Sequence, residues 1–297
     1  MYNIQASYRI AMYHLRKKTT IVLLFAYALF ALFYISRYSV INAICTDYQV
    51  KVSFLGIYAY SHNDHWTMLI MMIGWFYLVG DAPFADETQQ YIFIRCSKIS
   101  WMMGIVMFIH IFAALYLIWM FLICFVLFIM NGSTSCNWDS VLRSLTSVRT
   151  LIKMYEPMFS FSPYIINNYT VAEAFLFTAL LRYMMLILYG LIVTVANYFL
   201  HNNIGAFVSG GILVMDMVAS KMVVSDSYYS FSTVSLSNLN ILDLHGSSNR
   251  PTLTYAICFY ITALVGVCSI LVITTCGRKE IRRLFAQRRC RNDHDCL

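Results

Sequence analysis

The side chains with chemical potential in this chain are a few ionisable groups stranded in long apolar runs. Arg182 stands within "ALLRYMML", Asp216 within "LVMDMV", Arg37 within "YISRYSV" and His110 within "MFIHIFA". A charge at bilayer depth is costly, so it faces a partner or a wet cavity. Arg182 therefore points either to a group on another span or to substrate in a path. Glu173 is not its direct partner, because nine helical positions separate them by about 13 Å. Asp216 and Lys221 lie five apart on one apolar stretch, and Asp216 suits an interface between copies. Arg37, near one end of its span, is expected to snorkel toward water. His110 reads as a hydrogen-bonded core residue.

Spacings that carry catalysis are missing. The chain has no G-x-x-x-x-G-K-[ST], H-E-x-x-H, G-x-S-x-G or G-x-G-x-x-G, which removes a nucleotide-binding loop, a zinc protease helix and a nucleophile elbow. Nine cysteines are scattered without a C-x-x-C, several inside apolar runs, where Cys acts as a small hydrophobe. A Cys45–Cys136 disulfide is open, since both fall on one side in the topology below. No cofactor or metal is expected in this chain. The net charge of +7 gathers at the ends and in connections, whereas nucleic-acid binding needs a basic face on a soluble surface.

The elements that must position these groups are membrane spans. Charged residues make up only 12% of the chain and hydrophobic ones 60%, too few charges to cover a water-facing surface. Thirty residues, 101–130, pass with one His and no formal charge, and about 20 apolar residues cross a bilayer. The apolar runs place spans at 20–43, 66–80, 101–130, 171–199, 204–224 and 251–276. The second is short and is either extended backward by 53–60 or preceded by a re-entrant turn at 53–65. The first is too long for the apolar core of a cleaved signal peptide and reads as an anchor. Residues 1–19, with Ile4, Tyr8, Ala11 and Leu15 at helical spacing, read as an amphipathic helix on the membrane surface. Polar connections follow at 44–65, which contains "YSHNDH", and at 225–250. Val141, Leu145, Val148 and Ile152 mark an amphipathic helix in the connection 131–170.

Thirteen of the 21 Lys and Arg fall in 1–19, 81–100 and 277–297, and five in the opposite connections. The positive-inside rule then puts both termini in the cytoplasm and makes the number of crossings even. The expected fold is an all-α integral membrane protein, a single transmembrane domain over 1–297. It has an N-terminal amphipathic helix (1–19), a six-span core (20–276) and a basic cytoplasmic tail (277–297).

Between spans two and three lies "GDAPFADETQQYIFIRCSKISWMMG". Its Asp81–Pro83 start, the aromatic–basic stretch Tyr91 to Arg95 and Trp101 opening the next span resemble the membrane subunits of bacterial ABC exporters, the ABC-2 type permeases. The amphipathic start, the "NNIGA" break at 202–206 and Ser162-Pro163 before the fourth span are similar as well. The resemblance covers most of the chain and rests on layout rather than on an invariant signature. It implies a cytoplasmic coupling helix near 83–99, docking through Asp81, Pro83, Phe84, Tyr91, Phe93 and Arg95 onto a separate ATPase subunit. That partner would carry the ATP and Mg, so this chain would not be an enzyme by itself. A second permease, identical or related, would complete the path in the bacterial cytoplasmic membrane. Arg182 and Asp216 remain candidates for the substrate path or for pairing within the membrane.

Two other readings stand beside it. A seven-span chemoreceptor-like sensor would suit the abundant Tyr and the "NNYT" sequon at Asn168, but it would place the basic tail outside. An intramembrane enzyme would need a cluster of polar side chains at one depth, and the sequence displays none.

Overall fold

The computed structural model describes residues 4–18, 21–83, 97–147, 163–200, 204–222, 226–244, 246 and 249–294. The chain is mostly helical. Its helices are α1 (Ile4–Lys18), α2 (Ile21–Asp47), α3 (Phe54–His62), α4 (His65–Val79), α5 (Lys98–Leu127), α6 (Ser140–Ser147), α7 (Tyr164–Asn168), α8 (Val171–Leu200), α9 (Gly205–Met222), α10 (Thr233–Leu236) and α11 (Leu253–His294). Four of them contain segments long and apolar enough to cross a membrane: Tyr27–Asp47, Lys98–Leu127, Val171–Leu200 and Leu253–Thr274. Two shorter apolar helices, α4 and most of α9, lie among them. An integral membrane protein follows from this composition of helices.

Short polar residues start the helices as local chemistry requires. The side chains of Ser53, Asp64, Ser97 and Ser232 each accept a backbone N–H one turn on, satisfying donors that a helix start leaves open. Thr170 and Glu173 form a reciprocal capping box at the head of α8. Glu173 is thereby committed to its own helix.

The centre of the bundle is α8, 61% of whose apolar window is buried, against 17% for α11, which lies at the edge. α3, α4, α5, α9 and α11 all pack on α8. Polar tips of large aromatic side chains stitch the spans: Trp75 Nε1 donates to Leu186 O at 2.8 Å and Tyr116 Oη to Met71 O at 3.0 Å. Gly74 is required there, since a Cβ would fall 2.5 Å from the Tyr116 hydroxyl.

At one end of the bundle, β1 (Val52–Ser53) pairs in parallel with β2 (Gly132–Ser133). Asn131 Nδ2 donates to Asn42 and Thr46 beside them, and the Ser53 N–H donates to Asp139 Oδ2. This is the strand end. The opposite end, where α4 finishes at Gly80 and α8 gives way to α9, is the Gly80 end.

Several sequence expectations change here. The stretch expected as the second span forms two helices: α3 and α4 follow one another from the strand end to the Gly80 end, broken only at Asn63 and Asp64, and neither alone is as long as the four helices able to cross. The "YSHNDH" stretch is therefore no exposed loop, and Ser61, His62, Asn63 and Asp64 are all buried. Much of the 225–250 connection is also enclosed, with Val234 to Leu239 buried. α1 exists, but it runs lengthwise along α5, with Ser7 bonded to Ser100 O and Ile10 against Gly104. Its buried face is Ser7, Ile10, Ala11 and His14, while Ile4 and Tyr8 are exposed. Partner geometry, rather than the apolar stripe alone, selected the face. α6 buries Val141 and Leu145 as expected; Val148, Ile152 and Ser162 lie outside the described residues. The last span continues without interruption into the basic tail as one helix of 42 residues. Cys45 and Cys136 are both free, the first buried and the second exposed.

Candidate functional site

Two interruptions in the helices meet inside the bundle, and the ionisable groups gather around them. The first is the break between α3 and α4. There Asn63 donates to Ala59 O and to Thr178 Oγ1, at 2.7 and 2.8 Å. Asp64 caps α4 through the N–H and hydroxyl of Thr67 and also pairs with Arg37 Nη2 at 3.1 Å. Tyr34 and Tyr38 from α2 bind the same turn, through Ser61 Oγ at 2.9 Å and Thr67 Oγ1 at 2.7 Å. The His62 ring stacks on Tyr58 with centroids 4.0 Å apart.

The second interruption is the segment 226–243. Its short helix α10 is gripped at both ends. Asp216 Oδ2 accepts from the Thr233 hydroxyl at 2.8 Å and from the Val234 N–H at 3.0 Å, while Oδ1 takes the Tyr228 hydroxyl. An acid at that end and a cation at the other both suit the helix dipole. The cation is Arg182, whose Nη1 donates to Ser237 Oγ at 2.8 Å. Arg182 also reaches across to the first break, where Nε and Nη2 both donate to His62 O.

The two interruptions satisfy each other directly. The Leu239 N–H donates to Asn63 Oδ1 at 2.8 Å, and Asn238 Nδ2 to Asn63 O at 3.1 Å. Irregular backbone at membrane depth is tolerated where protein buries it or water lines it, and here protein supplies the partners. At 1.5 Å per residue, Arg182 sits about 16 Å from the head of α8 and Arg37 about 15 Å from the tail of α2. Both therefore lie well inside helices long enough to cross a hydrocarbon core of about 30 Å. The segment itself climbs along α8: Thr233 Oγ1 meets the Tyr189 hydroxyl, Ser237 meets Arg182, and the Leu244 N–H meets the Tyr164 hydroxyl before α8 begins.

Arg182 and Asp216 are thus brought to one element without touching each other. Arg37 does not snorkel: its side chain is 14% exposed and paired. His110 contacts the Tyr183 hydroxyl at 3.2 Å, in keeping with a core role. Sequence reasoning missed Asn63, Asp64, Ser237 and Asn238. Their types looked like loop, and only the match between two polar stretches in otherwise apolar surroundings hinted at a shared interior.

A third cluster closes the Gly80 end. Asn197 Nδ2 donates to Gly80 O at 2.7 Å and Ala82 O at 2.5 Å, and its Oδ1 accepts the Gly205 N–H at 2.6 Å. A side chain on Gly205 would meet Val193 O at 2.5 Å and Asn197 Oδ1 at 2.6 Å, so the start of α9 needs glycine to lie this close to α8. One amide ties the exit of α4, the last turns of α8 and the start of α9. Asp81 and Pro83 lie at this clamp; Phe84, Tyr91, Phe93 and Arg95 lie outside the described residues.

Among the described residues, no group of three or more His, Cys, Asp or Glu side chains is arranged to hold a metal. Comparison of the chain with protein-family models, with curated proteins and with solved structures finds no match.

Proposed function

We propose that the chain is the permease subunit of an ABC exporter in the bacterial cytoplasmic membrane. In this reading α2, the α3–α4 pair, α5, α8, α9 and α11 are six crossings with both ends in the cytoplasm. The Gly80 end then faces the cytoplasm and the strand end faces outward. Separate ATPase subunits dock on the connection between α4 and α5 and supply the ATP and Mg, and a second permease flanks the path.

The observation that carries the proposal is the Asn197 clamp. A force applied to the connection after Pro83 enters the bundle where one side chain holds α4, α8 and α9 together. Motion of a docked ATPase would be passed to all three at once, and through α8 to the interrupted elements near mid-depth. Discontinuous helices meeting near the midplane recur in the binding sites of membrane transporters, which supports a transport role.

The test is co-purification and ATPase turnover with the cognate ATPase, for the native chain and for Phe93→Ala and Arg95→Ala. Loss of assembly or of stimulated turnover is expected. Unchanged assembly and turnover in both variants would remove the coupling role. A C-terminal tag accessible from outside intact cells would instead favour the sensor.

A further inference from the structure

Arg182 is fully buried, yet every acceptor that it meets is neutral. They are the His62 carbonyl, the Ser237 hydroxyl and the Met185 sulfur. The neighbouring carboxylates are both occupied. Asp64 is paired with Arg37 and caps α4, while Asp216 spends its oxygens on Tyr228, Thr233 and Val234. A buried guanidinium normally sits with a carboxylate or phosphate that matches its planar fork. Here the place of the anion is taken by one serine.

That serine belongs to the irregular segment 226–243 rather than to a long helix. Ser237 accepts from Arg182 and donates to Val234 O, so it can leave Arg182 with its segment and keep a partner. Two further polar atoms are enclosed without a hydrogen bond: His62 Nε2, on the residue whose carbonyl Arg182 binds, and Ser235 Oγ, two residues before Ser237. The cluster's charges balance in number, but Arg182 bonds no carboxylate directly and two buried polar atoms stay without a hydrogen bond.

We infer that Arg182 is the specificity-determining residue of the path, and that it receives an anionic group of the transported molecule, a carboxylate or phosphate, when Ser237 withdraws. The inference rests on the transport reading above and adds the class of cargo. Ser237 is the resting stand-in for that anion. The fork of Arg182, still anchored at Nε and Nη2 on His62 O, offers Nη1 and the second N–H of Nη2 to such a group. A cargo with only cationic or neutral groups would leave the guanidinium stripped of an acceptor, and that loss is the basis of discrimination.

The experiment reads charge selection at this depth and needs neither the cargo nor an ATPase. In the full chain in proteoliposomes, Ser235→Cys is treated with an anionic sulfonatoethyl and a cationic trimethylammonioethyl methanethiosulfonate. Labelling at position 235 is followed by peptide mass spectrometry. With Ser237 present, labelling is expected to be slow; Ser237→Ala should speed it about tenfold or more. In the Ser237→Ala background, the anionic-to-cationic rate ratio should fall about tenfold when Arg182→Gln is added, since a buried charge raises the local concentration of its counter-ions by that order or more. Arg182→Lys should restore most of the ratio, which separates charge from damage to the fold. An unchanged ratio in Arg182→Gln, or no labelling at position 235 in any variant, overturns the inference. Failure of the ATPase experiment with intact charge selection would reject the coupling role and leave this site standing.

Discussion

Arg37 of α2 and Asp64, at the break between α3 and α4, form an ion pair at 3.1 Å with Asp64 almost wholly enclosed. The pair helps a polar turn sit among apolar helices, because the attraction between the two charges offsets part of the desolvation cost of each. Arg37→Met strands a buried carboxylate and should destabilise the protein by about 3–5 kcal/mol. Arg37→Met with Asp64→Asn should recover more than half of that, since the amide oxygen still caps Thr67. Thermal unfolding in nanodiscs is the measurement, and a double variant as unstable as the single one would refute the account.

Asn197→Ala removes two donors and one acceptor from the clamp at Gly80, Ala82 and Gly205. Leaving those backbone groups unpaired should cost about 1–3 kcal/mol. On the proposed function, export should fall far more than ATPase binding does. Asn197→Asp keeps the acceptor for the Gly205 N–H and should be intermediate. Full export by Asn197→Ala would mean that the clamp transmits nothing.

Gly104 lets α1 lie against α5. A Cβ there would fall 2.8 Å from Ile10 Cγ2 and 2.9 Å from Ser7 O. Gly104→Val should lift α1 off its partner while the bundle stays folded, at a cost of about 1–3 kcal/mol for overpacking. Hydrogen exchange should show lost protection over residues 4–18 and unchanged protection in α8. Retained protection in α1 would contradict the packing described.

Asp139 supplies a pH dependence at the strand end. Burial pushes its carboxyl above the usual range, and the Ser53 N–H only partly offsets this. The folded state therefore keeps a proton that the unfolded state has released. Stability is greatest below the ordinary carboxylate pKa, near 4, and falls as pH rises through the raised value. Asp139→Asn should flatten that part of the profile; an identical profile would place the titration elsewhere.

The four long apolar helices were legible in the sequence because hydropathy is local. A run such as Trp101 to Met130 needs no knowledge of its neighbours to be read as a crossing. The cap Thr170-x-x-Glu173 is legible in the same way. The interior of the site was not, because its logic is a pairing between distant segments. Asn63 and Asn238 look like loop residues when read in turn, and nothing in either stretch announces the other. Arg182 was visible as costly, but the acceptors that accommodate it come from two other regions of the chain. α1 teaches the same lesson on a smaller scale: its apolar stripe is real, yet the buried face was set by where Gly104 allows close approach.

The meeting of Asn63 with residues 238 and 239 also sets an order of events during synthesis. The break between α3 and α4 reaches the membrane some 175 residues before its partners exist, which at 5–20 residues per second is roughly 10–35 seconds. Through that interval the turn has Arg37 and the tyrosines of α2; Arg182 follows only after some 120 residues, and the Asn238 segment comes last. The nascent protein must then hold a half-satisfied polar break, sheltered at the insertion machinery or wetted by it, until α8 and α10 arrive. Ribosome-stalled chains ending after α9 should leave this break open to protease, and chains extended past α11 should close it. Maturation of this protein is thus limited by its last third, however early its first spans enter the bilayer.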